Sequence, residues 1–110
     1  MNREQKIHDT YTKTISLKPH IIGLTGIVLS TNEANIHENG SIISQPDGLA
    51  FDPSTKTLYN IEYKCHDNRS RHNHGLYQLN MRHKALTYIL PDWRIVDLLI
   101  TGDYKLEKVR

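Results

Sequence analysis

The chain has 110 residues, which fits one compact domain and leaves little room for a second hydrophobic core. Hydrophobic residues make up 37% and charged residues 24%, with a mean hydropathy of -0.57, a globular balance that excludes a disordered tail. A net charge of +2 and a pI of about 8.7 allow an acidic partner without requiring one, while Cys65, the single cysteine, excludes an internal disulfide and a cysteine-ligated zinc or iron-sulfur cluster within one chain.

Residues 2 to 16 carry Ile7, Tyr11 and Ile15 four apart among polar side chains, a narrow stripe that predicts a first helix ending before Pro19. IIGLTGIVLS, residues 21 to 30, is the longest apolar run. It is far short of the ~20 residues of a membrane-spanning helix and no signal peptide precedes it, so the expectation is a cytoplasmic protein, in the host cytoplasm if viral, with no membrane partner. Its branched residues and two glycines predict a buried strand with a turn or bulge, and TNEANIHENG after it reads as a loop. SIISQPDGLAFD reads as a second strand interrupted at Pro46-Asp47-Gly48, and DPSTK as the turn that closes a hairpin. LYNIEYKC returns as a third strand, with Glu62 and Lys64 on one face and Tyr63 and Cys65 on the other. HDNRSRHNHG reads as a polar loop. From Leu76 to Leu90, Leu76, Leu79, Leu86 and Leu90 recur at helical spacing, stopped by Pro91. RIVDLLITGDYKLEKVR closes the chain as two strands joined by a two-residue turn at Gly102-Asp103. The order α-β-β-β-α-β-β predicts an α/β fold over residues 1–110.

A hairpin turn centred between Ser54 and Thr55 sets Asp52 opposite Thr57, and therefore Asp47 opposite Glu62. Directly opposed residues share a face with Cβ atoms roughly 4.5 to 5.5 Å apart, so the two carboxylates converge, with Lys64 two residues along. Like charges that close are costly unless a shared proton or a cation compensates. Carboxylate oxygens, with waters and a backbone carbonyl, suit Mg2+ or Mn2+. Such an ion polarises a phosphodiester and acidifies a bound water, and a nearby lysine orients that water or stabilises developing charge. The plain alternative is a surface hairpin in which Asp47 shapes a turn and Glu62 pairs with Lys64.

PDG at 46 to 48, EYK at 62 to 64 and the following helix with Gln78 resemble the PD-(D/E)XK nuclease superfamily. PDGL, EYKC and LYQL together are most similar to the cores of lambda-type (YqaJ-like) viral exonucleases, over roughly residues 41 to 101. The resemblance implies a restriction-endonuclease-like fold, a mixed central β-sheet flanked by helices, and metal-dependent hydrolysis of DNA by exonuclease or endonuclease action. It implies that Asp47 and Glu62 bind Mg2+ or Mn2+, that the Tyr63 carbonyl adds a backbone ligand, that Lys64 assists the attacking water, and that Gln78 contacts the site or positions Lys64. A third acid from the first helix would be Glu4, with Glu33 and Glu38 as loop alternatives. Because the chain is much shorter than a typical lambda-type exonuclease, a minimal nuclease, or one that works as a homo-oligomer, is expected rather than a processive ring.

Lys64, Arg69, Arg71, Arg82 and Lys84 crowd the segment that follows the carboxylates, with only Asp67 opposing them. Position beside the site makes Arg69, Arg71, Arg82 and Lys84 candidates for DNA phosphates, Arg82 first because it follows Gln78 by four residues on one helix face. The alternative is a solvated loop and helix face. Cys65, His66, His72 and His74 are residue types that hold zinc, but their spacing resembles no known finger and Cys65 faces away from Glu62. Tyr77, Met81, Tyr88, Trp93 and Phe51 read as core or edge packing, although an exposed tyrosine could stack on a base. From a different functional class, the competing reading is a non-catalytic nucleic-acid-binding or assembly module that retains the nuclease fold.

Overall fold

The structure is a computed structural model that describes residues 3–27, 29–31, 36–38, 41–65, 69–102 and 105–108. The N-terminal stripe forms helix α1 (Arg3–Leu17), which buries Thr12 and Ile15 and half-buries Ile7 and Tyr11. Pro19 opens a short 3-10 turn (Pro19–Ile22) that ends on Gly23 at φ 83. The strand expected over 21 to 30 is therefore largely absent. Gly23 and Gly26 both adopt positive φ, a conformation that breaks extended backbone, and only β1 (Leu29–Thr31) remains of it.

The expected second strand is also divided. β3 (Ser41–Ser44) pairs antiparallel with β2 (Ile36–Glu38), a strand within the stretch expected as loop, and these two form a separate small sheet. β4 (Gly48–Asp52) belongs to the main sheet. Pro46 lies between the two strands and has no N–H to donate, so one ladder cannot run through it.

β5 (Thr57–Lys64), helix α2 (Arg69–Ile89), β6 (Arg94–Thr101) and β7 (Lys105–Lys108) complete the chain. The main sheet has the order β1-β4-β5-β6-β7, and every pairing is antiparallel except the central β5-β6 pair. That parallel pair is joined by α2, because parallel neighbours need a long crossover. The fold is thus α/β with a mixed sheet and two helices, in the order α-β-β-β-β-β-α-β-β rather than the expected α-β-β-β-α-β-β. Between β6 and β7, Thr101 pairs with Lys105 and Gly102 takes φ 54. Residues 102–104 separate the paired positions, so the turn is longer than the expected two residues, and Asp103 lies outside the described residues.

Helix α2 starts at Arg69, not at Leu76, and absorbs most of the expected polar loop. Its first residues Arg69, Ser70, Arg71, Asn73 and His74 are exposed, so no apolar stripe announces them. Gly75 is the first buried residue of the helix. A Cβ there would stand 2.8 Å from Leu99 Cδ1 and 3.6 Å from Lys64 Cγ and Cε. The missing side chain lets the helix close on Leu99 of the sheet, while the Lys64 stem lies at ordinary contact distance.

Period-two alternation sends the side chains of β5 and β6 to two cores. Ile61, Tyr63, Val96, Leu98 and Ile100 pack with Ile15 of α1 on one face. Leu58, Ile95 and Leu49 pack with Leu86 of α2 on the other. Under α2 the β5 row then continues from Leu58 through Asn60, Glu62 and Lys64, which places polar groups where a helix normally covers apolar ones. Phe51 and Trp93 meet edge to face beside the second core, as expected, but Tyr77, Met81 and Tyr88 are exposed rather than packed. A radius of gyration of 13.3 Å is that of one compact body. Among the described residues no helix is long and apolar enough to cross a membrane.

Candidate active site

The β4–β5 hairpin closes as its loop length requires. Asp52 Oδ1 accepts from the Ser54 hydroxyl at 2.6 Å and the Ser54 amide at 3.1 Å, an Asx turn, and Lys56 takes φ 51 to complete the reversal. Asp52 opposes Thr57 and Gly48 opposes Ile61, so Asp47, the next residue back, meets Glu62. Asp47 Oδ2 accepts the Tyr63 N–H at 2.8 Å, taking the place of a ladder carbonyl just before β4 begins. The N–H and C=O of a strand residue point to the same edge, so the Tyr63 carbonyl is directed to the side on which Asp47 lies.

Glu62 is buried and doubly bonded to Arg82: its Oε1 accepts from Nη2 at 2.6 Å and from Nη1 at 3.2 Å. Lys64 Nζ stands 3.6 Å from Glu62 Oε2. Burial, reinforced by the Asp47 charge, pushes the Glu62 carboxyl up to about 8 against the pull of Arg82 and Lys64. Asp47 moves the other way. Its own burial opposes ionisation, but hydrogen bonds from His8, Glu62 and the Tyr63 amide hold it below the usual carboxylate range. At neutral pH the pair shares one proton, with Glu62 donating and Asp47 accepting, while Glu62 Oε1 still accepts from Arg82.

His8 is the participant that sequence reasoning missed. Its Nε2 lies 3.1 Å from Asp47 Oδ1 and its Nδ1 3.3 Å from Asp9 Oδ1, and the ring tilts against Tyr63, on which Tyr11 stacks. The Asp47 hydrogen bond raises the imidazole to about 9 although partial burial opposes it, so both ring nitrogens donate at neutral pH. The available signal was spacing, since His8, Tyr11 and Ile15 follow i, i+3, i+7 on one face of α1.

Glu4 lies one helical turn before His8. It borders a cleft of about 150 Å³ together with Gln5, His8, Tyr63, Lys64, Cys65 and Arg71, and its Oε1 is 3.4 Å from Arg71 Nη2. The first-helix candidate for a third acid is therefore at the mouth of the site. Glu33 and the side chain of Glu38 lie outside the described residues.

Arg82 departs from expectation. It is 1% exposed and its guanidinium is committed to Glu62, so it is an internal counter-ion and not a phosphate contact. The i, i+4 relation to Gln78 is real, but it places both on the inner side of α2. Gln78 Oε1 is buried with no hydrogen-bond partner, and among the described residues Gln78 makes no hydrogen bond to Lys64. Arg71 reaches the cleft, whereas Arg69 and Lys84 are exposed on α2. The polar row extends further than the motif: Asn60 Nδ2 donates to Asp97 Oδ1 at 2.9 Å and to the Leu79 carbonyl at 3.3 Å, and His83 Nδ1 lies 3.0 Å from Asp97 Oδ1.

Cys65 points to the α1 side, as alternation predicts, where its Sγ donates to the Glu4 carbonyl at 3.4 Å. Burial and the nearby Glu4 charge push its thiol up, which disfavours a thiolate ligand. His66 lies outside the described residues, and among those described no three His, Cys, Asp or Glu side chains are grouped to hold a metal ion. Asp47 and Glu62 offer carboxylate oxygens, the donor type that suits a hard divalent cation, and each already has a cationic partner, His8 at Asp47 and Arg82 at Glu62. Comparisons with protein-family models, curated proteins and solved structures find no match to this chain.

Proposed function

We propose that the chain is a Mg2+- or Mn2+-dependent deoxyribonuclease of PD-(D/E)XK type, with its mixed sheet arranged in the restriction-endonuclease-like manner. The observation that carries this reading is the β4–β5 register, which joins Asp47 to Glu62 and leaves Lys64 3.6 Å from Glu62 at the cleft. When bound, the ion supplies Lewis-acid polarisation of the phosphodiester and an acidified water. Asp47 and Glu62 hold it, with the Tyr63 carbonyl on the same edge. His8 and the Tyr63 amide fix the Asp47 carboxylate, and Arg82 fixes that of Glu62. Lys64, its stem running beside Gly75, orients the attacking water and stabilises the developing negative charge. Arg71 meets a phosphate at the cleft, and Arg69 and Lys84 add attraction along α2.

The test is hydrolysis of single-stranded, double-stranded and branched DNA with and without Mg2+ or Mn2+. Wild type is expected to cut only with metal, and Glu62→Ala to lose about 1,000-fold or more in rate. Lys64→Met is expected to lose about 100-fold in kcat with KM little changed. Full activity of Glu62→Ala would exclude the assignment. One observation favours a second reading, a non-catalytic nucleic-acid-binding module on the nuclease fold: both carboxylates already have cationic partners, His8 at Asp47 and Arg82 at Glu62. That reading predicts intact DNA affinity with no cleavage in any divalent metal.

A further inference from the structure

Helix α2 has two faces of different chemistry. Gly75, Leu79, Arg82 and Leu86 are turned to the sheet. On the outer side His74, Tyr77, Met81, Lys84 and Tyr88 follow one another at steps of three, four, three and four, a single stripe about 21 Å long at 1.5 Å per residue. All five are exposed, Tyr77 at 62% and Tyr88 at 85%, and the helix contains no acidic residue from end to end. Two large rings exposed beside Lys84 and His74, on a helix that carries no carboxylate, present stacking surfaces and hydrogen-bond donors for phosphate together.

We infer that this stripe binds a single-stranded nucleic acid, Tyr77 and Tyr88 stacking on bases while Lys84 and His74 meet phosphates. The two rings are eleven residues apart, about 16 Å along the helix, so they would engage separate bases of one strand. Three residues before His74 stands Arg71, which lines the cleft, so the stripe leads toward Lys64. Taken with the nuclease reading, on which this last step rests, the stripe makes an unpaired strand the substrate; the binding itself does not depend on that reading.

Other occupants fit less well. A second copy packed α2 against α2 would set Lys84 and the Arg69 end among like charges with no acid on either helix to offset them. A bilayer surface favours cations flanking an apolar face, whereas here Lys84 and His74 interrupt it. A duplex keeps its base faces stacked inside and offers the tyrosines nothing to stack on.

The experiment is fluorescence anisotropy with a labelled 20-nucleotide oligothymidylate and a 20-base-pair duplex, using the full chain in EDTA so that no cleavage intervenes. Wild type is expected to bind the single strand at least tenfold more tightly than the duplex. The Tyr77→Ala, Tyr88→Ala double variant should lose at least tenfold in single-strand affinity, and the corresponding double phenylalanine variant should keep it. Lys84→Gln should lower the slope of log affinity against log salt by about 0.7. Because both tyrosines are exposed, all variants should retain the wild-type circular dichroism spectrum. Unchanged affinity in the alanine variant, equal affinity for duplex, or binding of phosphatidylserine vesicles or self-association in place of oligonucleotide binding would each overturn the inference. If the nuclease reading alone failed, this binding pattern would persist in EDTA while no metal yielded product. If the stripe alone failed, single-strand cleavage would keep its KM in the alanine variant.

Discussion

Replacing Arg82 by methionine is expected to lower the free energy of unfolding by about 1–3 kcal/mol, because it leaves the buried Glu62 Oε1, which accepts two hydrogen bonds from the guanidinium, without a donor. Both partners are almost wholly enclosed, and the guanidinium makes two hydrogen bonds to one carboxylate oxygen. The penalty arises from leaving a buried acceptor uncompensated and not from the net worth of the pair. Removing both partners, as in Arg82→Met with Glu62→Leu, should therefore recover most of the loss. Urea denaturation reads the difference through a lowered midpoint at constant slope. A midpoint equal to that of wild type would place Arg82 in water.

Stability is expected to fall as pH rises from about 5 to about 9. The native state holds protons that the unfolded chain releases: Glu62 keeps its proton up to about 8, and His8 up to about 9. Both native pKa values are raised. Each contribution is complete below the unfolded value, near 4.5 for Glu62 and 6.5 for His8, and is lost as pH passes the native value. Each extra proton held by the native state costs about 1.4 kcal/mol per pH unit across that window. Asp47 has the opposite sign. Its lowered pKa contributes stability above the usual value of 3.8 that is lost in stronger acid, so the maximum falls near pH 5. Thermal unfolding from pH 4 to 10 should show this decline, and Glu62→Gln, the neutral isostere of the protonated acid, should flatten it between pH 5 and 8. A melting temperature that climbs over that range would contradict the shared proton.

The centre of the site was legible because two short-range rules determine it. The loop Pro53 to Lys56 sets the register of β4 against β5, and strand alternation then assigns Glu62 and Lys64 to the face that Asp47 shares. Other features depend on which face a helix presents, and spacing does not say that. Gln78 and Arg82 were rightly placed together, but the helix buries that side, so the arginine serves Glu62 and the outward residues are Tyr77, Met81 and Tyr88. With Gly75 and Arg82 beside Leu79 and Leu86 on the inner face and tyrosines on the outer one, the apolar pattern of α2 is blurred, and its exposed polar first turns carry none. His8 escaped because its partner Asp47 is distant in sequence. The division of 21 to 30 and the pairing of β2 with β3 turned on positive-φ glycines and on Pro46, whose effect on a ladder is clearer than where the chain resumes.

All of the chemistry proposed rests on Asp47 and Glu62 acting as one divalent-ion site, and Mn2+ titration calorimetry on wild type, Asp47→Asn and Glu62→Gln tests that most directly. One Mn2+ per wild-type chain is predicted, with affinity about 100-fold weaker or worse in each variant. Mn2+ binding of undiminished strength in Asp47→Asn or in Glu62→Gln, with the variant still folded, would contradict it.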